Sequence, residues 1–119
     1  MFAAAKKLDN LTVIVDNNNL QIDGTVEEVN SSYPIPEKWA AFGFHVIEID
    51  GNDLDQIEAA LQEAKTVSGK PTAIVQKTVK GKGVSFMENQ CSWHGVAPKE
   101  DEYNAAMAEL TATLKELEG

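Results

Sequence analysis

The sequence is poor in positive charge: ten lysine or arginine side chains stand against nineteen aspartates and glutamates, a net charge of −9. That balance argues against a surface built to hold nucleic acid or an anionic membrane. A phosphate ligand is still allowed, because a metal ion and a local pair of lysines can hold one. Cysteine is nearly absent, and Cys91 alone cannot form an internal disulfide, which fits a cytoplasmic setting. No apolar run has the length of a membrane span, and no basic segment precedes a cleavable apolar stretch as in a secretory signal. No repeat is evident. No Gly-x-Gly-x-x-Gly follows the first apolar run, which ranks a half-Rossmann nucleotide-binding module last. What is present is 119 residues, 43% hydrophobic and 24% charged, the composition of one globular domain with a modest core.

The chain is organised around Val13 to Gly24, Val-Ile-Val-Asp-Asn-Asn-Asn-Leu-Gln-Ile-Asp-Gly. Leu11, Val13, Ile14 and Val15 predict a buried strand over about Leu11 to Asp16. Asp16, Asn17, Asn18 and Asn19 then predict a sharp turn, because Asn and Asp bond their own backbone and tolerate left-handed conformations. In an α/β sheet, ligands sit beyond the carboxyl ends of the strands. The turn's oxygens are the hard donors that Mg²⁺ or Ca²⁺ takes. Spacing alone favours an ordinary polar turn, since short oxygen-rich turns are common.

Met1 to Leu8 reads as the last turns of a helix that starts without a capping residue. Val26 to Tyr33 is mixed and reads as loop. Pro34-Ile35-Pro36 opens a short helix running to Phe42, with Gly43 as its C-terminal cap and Trp39 as a packing residue. Phe44 to Asp50 predicts a second strand, with His45 as a packed or rim residue and Asp50-Gly51-Asn52-Asp53 as the following turn. Asp53 to Thr66 predicts a helix with Leu54, Ile57, Leu61 and Ala64 on one face. Asp53 and Gln56 form its capping box, and Gly69 and Pro71 end it.

Pro71 to Val79 predicts the third strand. Lys80 to Gly83 is a glycine-rich basic turn that lacks the P-loop spacing; it suits either close ligand approach or plain solvation. Ser85 to Pro98 reads as a long irregular segment holding Cys91, Trp93 and His94. No third group accompanies Cys91 and His94, so neither a cysteine nucleophile nor a metal site of their own is expected. Glu100 to Glu118 predicts a last helix whose Tyr103, Met107, Leu110, Leu114 and Leu117 form an apolar stripe, read as core packing. Glu100 to Glu102 suit its positive N-terminal end. Strands alternating with helices predict an α/β fold: a three-stranded parallel sheet with flanking helices, right-handed crossovers and strands buried on both faces.

Three blocks carry a family resemblance: Leu8-Asp9-Asn10-Leu11 leading to Val15-Asp16-Asn17-Asn18-Asn19-Leu20, then Lys77-Thr78-Val79-Lys80-Gly81-Lys82-Gly83, then Ser92-Trp93-His94-Gly95. Each is weak alone. In this order they resemble the cofactor-binding domain of transketolases, closest to the N-terminal subunit of the split, two-gene type, over essentially the whole chain. The resemblance implies residues 1–119 as one partial thiamine diphosphate-binding domain. The family's Gly-Asp-Gly segment, which lies upstream of this region, is not among these residues. The resemblance implies metal ligation by the side-chain oxygen of Asn18 and the carbonyl of Leu20, with the third protein ligand an aspartate of that upstream segment. It also implies cofactor contacts from Lys80 and His94, and from Ile22 by a weaker alignment, with His94 near the reaction centre. Transketolases often carry histidine where Asn52 stands, so no role is transferred there.

The implied function is transfer of a two-carbon ketol unit between sugar phosphates, with thiamine diphosphate and Mg²⁺ (or Ca²⁺), in cytoplasmic carbohydrate metabolism such as the pentose phosphate pathway. The family's aminopyrimidine-activating glutamate belongs to a separate domain. The chain alone is therefore expected to lack activity and to hold cofactor and metal weakly. It is expected to self-associate or to join complementary transketolase chains, with no nucleic-acid or membrane partner. The alternative is a non-catalytic half-domain serving as a structural or protein-interaction module.

Overall fold

The computed structural model describes residues 1–119. α1 (Phe2–Ala5) is a single turn. It stops short of Leu8 because the chain must swing into the first strand. Lys7 takes a φ of 54°, and the Asp9 N–H donates to the Lys7 carbonyl at 2.8 Å. Asp9-Asn10 favours turning over helix. β1 (Thr12–Asn17) follows, and then β2 (Leu20–Gln21) and β3 (Gly24–Thr25), a small antiparallel ladder turning over Ile22-Asp23.

Val26 to Tyr33 is not all loop: α2 (Val26–Asn30) forms there. Its cause is a reciprocal cap. The Glu28 N–H donates to Thr25 Oγ1 at 3.2 Å, and Glu28 Oε2 accepts from the Thr25 N–H at 3.1 Å. α3 (Ile35–Ala41) starts on its prolines, and Trp39 packs edge-on against Phe44, ring centroids 4.7 Å apart. β4 (His45–Asp50) and α4 (Leu54–Thr66) follow. His45 is a rim residue, its Nε2 2.6 Å from Glu63 Oε1 on α4. β5 (Thr72–Lys77) and α5 (Glu100–Glu118) complete the chain.

The main sheet has the order β1-β5-β4, with both pairings parallel. The expected three-stranded parallel α/β layer is therefore the fold. Burial on both faces holds for β5 alone: Thr72, Ala73, Ile74 and Val75 are all buried. β1 is an edge strand whose residues alternate, and Ile14 is 53% exposed. The core is small, with ten of 119 residues buried.

Two packing expectations need correction. On α4 the inward face is Ile57, Ala60 and Ala64, while Leu54 is 81% exposed. Leu54 sits in the first turn, where the chain leaves the sheet end, and small alanines let the helix lie close to the strands. On α5 the stripe is not core: Tyr103, Met107, Leu110, Leu114 and Leu117 are 42–81% exposed, and the buried residue is Ala106. α5 docks on a loop instead. The Ser85 N–H and hydroxyl donate to Glu109 Oε2 and Oε1 at 2.6 and 2.7 Å, and Leu110 lies over Gly83.

Candidate cofactor and metal site

The register sets the site. Asn17 of β1 and Asp50 of β4 both pair with Lys77 of β5, so the three strands end level. Beyond them lies an open crevice of about 1090 Å³, lined among others by Asn17, Asn18, Asn19, Tyr33, Lys77 and Lys82. The Thr78 hydroxyl donates to Asp16 Oδ1 and ties the end of β5 to that of β1.

The asparagine turn is ordered from within. Asn18 Oδ1 accepts from the Leu20 N–H at 2.9 Å, the local Asx bond that these residues favour. Asn19 adopts a φ of 61°. The Tyr33 hydroxyl lies 3.0 Å from Asn17 Oδ1 and 3.2 Å from Asn19 Oδ1, so the outer two asparagines share one donor while the central one turns to Leu20.

The turn after β4 is held by Asn52. Its N–H donates to Asp50 Oδ1 at 2.8 Å, and its Oδ1 accepts the Val79 N–H at 2.8 Å, just before Lys80. Gly51 is needed for close approach: a Cβ there would lie 2.5 Å from Thr78 Cγ2. The carboxyl of Asp53 is held below its ordinary pKa, first by the hydrogen bond from the Gln56 side chain and then by backbone N–H donors. Asp53 therefore stays ionised as the N-cap of α4.

The Lys80–Gly83 turn folds upon itself. The Val84 N–H donates to Gly81 O at 3.2 Å and the Asn89 N–H to Lys80 O at 3.0 Å. Gly81 has a φ of 73°, and a Cβ on it would sit 2.6 Å from the Met87 carbonyl oxygen. Its glycine is required by the loop's own packing, whatever ligand the loop takes. The Lys82 ammonium lies 3.7 Å from Glu88 Oε1, which offsets part of its charge.

Ser85 to Pro98 is irregular apart from a 3-10 turn at Cys91–Trp93. The Trp93 Nε1–H donates to Phe86 O at 3.2 Å, and the two rings meet at a tilt of 56° with centroids 5.6 Å apart. The Cys91 thiol reaches the Gly24 carbonyl at 3.5 Å, so this turn lies against the β2–β3 ladder. His94 follows it and is exposed.

Asn18 and Leu20 are thus joined directly. Ile22, 61% exposed, is at the tip of the same hairpin, and His94 hangs from the turn that touches it. Lys80 heads the loop after β5 and is half-buried. Of these five, Asn18 alone lines the strand-end crevice, where the lysines are Lys77 and Lys82. Tyr33 and Asn52 escape sequence reasoning. Tyr33 acts across 14 and 16 residues, a distance no local pattern registers. Asn52 carries a local signal, an Asx-prone residue in a strand-to-helix turn, but its reach to Val79 spans 27 residues.

The donor chemistry fits part of a hard-cation site. Asn18 Oδ1 uses one lone pair on Leu20 and retains another, and backbone carbonyls supply neutral oxygens. No three His, Cys, Asp or Glu side chains gather as a metal cluster.

A parallel α/β layer with hard oxygen donors and a glycine-rich basic loop at its strand ends has the make-up of a cofactor-binding domain. The family described as "Transketolase, thiamine diphosphate binding domain" matches residues 1–116. The chain belongs to this family. It is 44% identical over 110 residues to a 6-deoxy-6-sulfo-D-fructose transketolase subunit of Clostridium sp. (strain MSTE9), covering 92% of this chain and 40% of that protein. It is 39% identical over 112 residues to an apulose-4-phosphate transketolase subunit of Phocaeicola vulgatus, covering 94% of this chain and 40% of that protein. The crystal structure of transketolase from Campylobacter jejuni superposes with a TM-score of 0.85 at 34% identity, covering 92% of this chain and 17% of that one. The chain therefore spans about two-fifths of the two curated relatives.

Proposed function

We propose that this chain is the metal-side portion of a transketolase, an enzyme that moves a two-carbon ketol unit between sugar phosphates with thiamine diphosphate and Mg²⁺. The observation that carries this reading is the Asn17–Asn19 turn at the end of β1, with Asn18 Oδ1 on the Leu20 N–H, in a chain matching the family over residues 1–116. When bound, thiamine diphosphate supplies the carbanion chemistry that the protein lacks. Asn18 Oδ1 and the Leu20 carbonyl would hold the metal, which would supply positive charge for the diphosphate. Lys80 would add positive charge for the phosphates, and Ile22 would provide apolar contact. His94 is exposed, and its imidazole orients substrate or moves a proton at a ring nitrogen.

No Gly-Asp-Gly segment occurs among the 119 residues, so on this reading the acidic metal ligand and the glutamate that activates the aminopyrimidine are supplied by other segments or chains. The 119 residues work only with complementary transketolase chains or segments, in the cytoplasm, without nucleic acid or membrane. No helix is long and apolar enough to cross a membrane. A coupled assay with a ketose phosphate donor and an aldose phosphate acceptor tests this. The chain alone should give background turnover, and addition of the complementary portion should restore it. Turnover by the chain alone overturns the dependence on a partner.

A second reading is a non-catalytic half-domain that binds protein partners. The exposed stripe of α5 favours it. Complementation that restores oligomerisation but never turnover would select it.

A further inference from the structure

We propose that Tyr33 is a positioning residue for the metal-ligand turn, a role that rests on the assignment of Asn18 and Leu20 as ligands. Three consecutive asparagines offer three chemically equal carboxamides, and each can bond its own backbone and rotate toward a cation. All three line the crevice, so something must decide which oxygen is kept for a cation. Tyr33 does so by occupying the other two: its hydroxyl lies 3.0 Å from Asn17 Oδ1 and 3.2 Å from Asn19 Oδ1. Asn18 is left free of this donor, with its oxygen 2.9 Å from the Leu20 nitrogen.

The clamp is itself anchored. The Lys38 ammonium of α3 donates to the carbonyls of Ser32 and Tyr33 at 2.7 and 2.9 Å, and the Tyr33 N–H donates to Ser31 Oγ at 3.3 Å. A short helix thus fixes the tyrosine backbone, and the ring carries that constraint to the turn at the end of β1. One hydroxyl proton serves two acceptors, so removing it releases both flanking carboxamides together. Tyr33→Phe keeps the ring and deletes only that donor.

The test uses the full chain, ¹⁵N-labelled, titrated with Mn²⁺, which takes hard oxygen donors and broadens nearby NMR signals even when bound weakly. In the unsubstituted chain, broadening should appear first at the Asn18 side-chain amide and the Leu20 N–H. In Tyr33→Phe, the Mn²⁺ concentration for half-broadening should rise about two- to tenfold, the effect of one lost hydrogen bond, and broadening should spread to the Asn17 and Asn19 side chains. The thermal unfolding midpoint should not move. Asn19→Gly tolerates the positive φ and removes one acceptor; it should reproduce part of the effect, and the double variant should be less than additive. An unchanged titration in Tyr33→Phe overturns the positioning role and leaves the ligand assignment standing. A matching fall in unfolding midpoint reduces Tyr33 to a general structural residue and overturns it too. No selective broadening at Asn18 and Leu20 in the unsubstituted chain removes the metal turn itself, and the proposal with it.

Discussion

The strand-end crevice depends on single residues that bring backbone from different segments together. Gly51 lets the turn after β4 pass over β5, where a Cβ would meet Thr78 Cγ2 at 2.5 Å and Gln76 Cβ at 2.6 Å. Gly51→Ala should therefore lower stability by about 1–3 kcal/mol, the usual range for forcing an extra carbon into a packed contact. Denaturant unfolding checks the size, and a change below experimental error would mean that the turn relaxes freely. Asn52 acts differently, by accepting the Val79 N–H at 2.8 Å. Asn52→Ala should lower stability by about 1 kcal/mol and speed hydrogen exchange at Val79. Exchange at that amide unchanged from the unsubstituted chain would contradict the assigned bond. Neither contact can be read locally from sequence. Glycine and asparagine in a turn suggest bending, but not which distant strand end they serve.

At the scale of elements, α5 is held by a charged loop contact more than by its apolar stripe. The Ser85 N–H, and then its hydroxyl, keep the Glu109 carboxyl below its ordinary pKa. A depressed carboxylate contributes stability that is present above its unfolded pKa and is lost as pH falls through the folded value. Glu28, bonded to Thr25, and Asp53, bonded to Gln56, are depressed in the same direction. Stability should thus fall as pH drops below the ordinary carboxylate range near about 4. Glu109→Gln should flatten part of that slope, and acid titration of unfolding midpoints checks it; an identical slope would show that the Ser85 contact contributes nothing.

The elements themselves are largely legible in the sequence. β5 follows from the run Thr72–Val75, and α4 follows from its Asp53 cap. α2 reads as loop, although Thr25 and Glu28 carry the capping spacing, because five residues are too few to show a helical period. The stripe of α5 shows how far periodicity reaches. It reports that one face is apolar, and it is silent on what covers that face.

At the scale of the molecule, β1 is an open edge, Ile14 is 53% exposed, and α5 presents Leu114 and Leu117 at 54% and 81% exposure. Unpaired edges and apolar stripes recruit partners. The chain should self-associate at high concentration. Leu114→Lys with Leu117→Lys should reduce that association while changing monomer stability by no more than about 0.5 kcal/mol, as exposed substitutions do. Sedimentation across a wide concentration range checks both; a strict monomer throughout would show that these surfaces do not meet in solution.

Centrally, we propose that this chain carries part of a metal–diphosphate site whose anionic ligand is supplied from outside these 119 residues. Mg²⁺ gives up water reluctantly, and two neutral protein oxygens compensate poorly for that loss. The most direct measurement is calorimetric titration of the chain with Mg²⁺ and thiamine diphosphate, repeated after the upstream Gly-Asp-Gly portion of a relative is supplied. The expected dissociation constant for the chain alone is about millimolar or weaker, equivalent to roughly 4 kcal/mol or less. Complementation should tighten it, and Asn18→Ala in the complemented protein should weaken it again. Micromolar binding by the chain alone, or an affinity indifferent to Asn18→Ala after complementation, would contradict the claim.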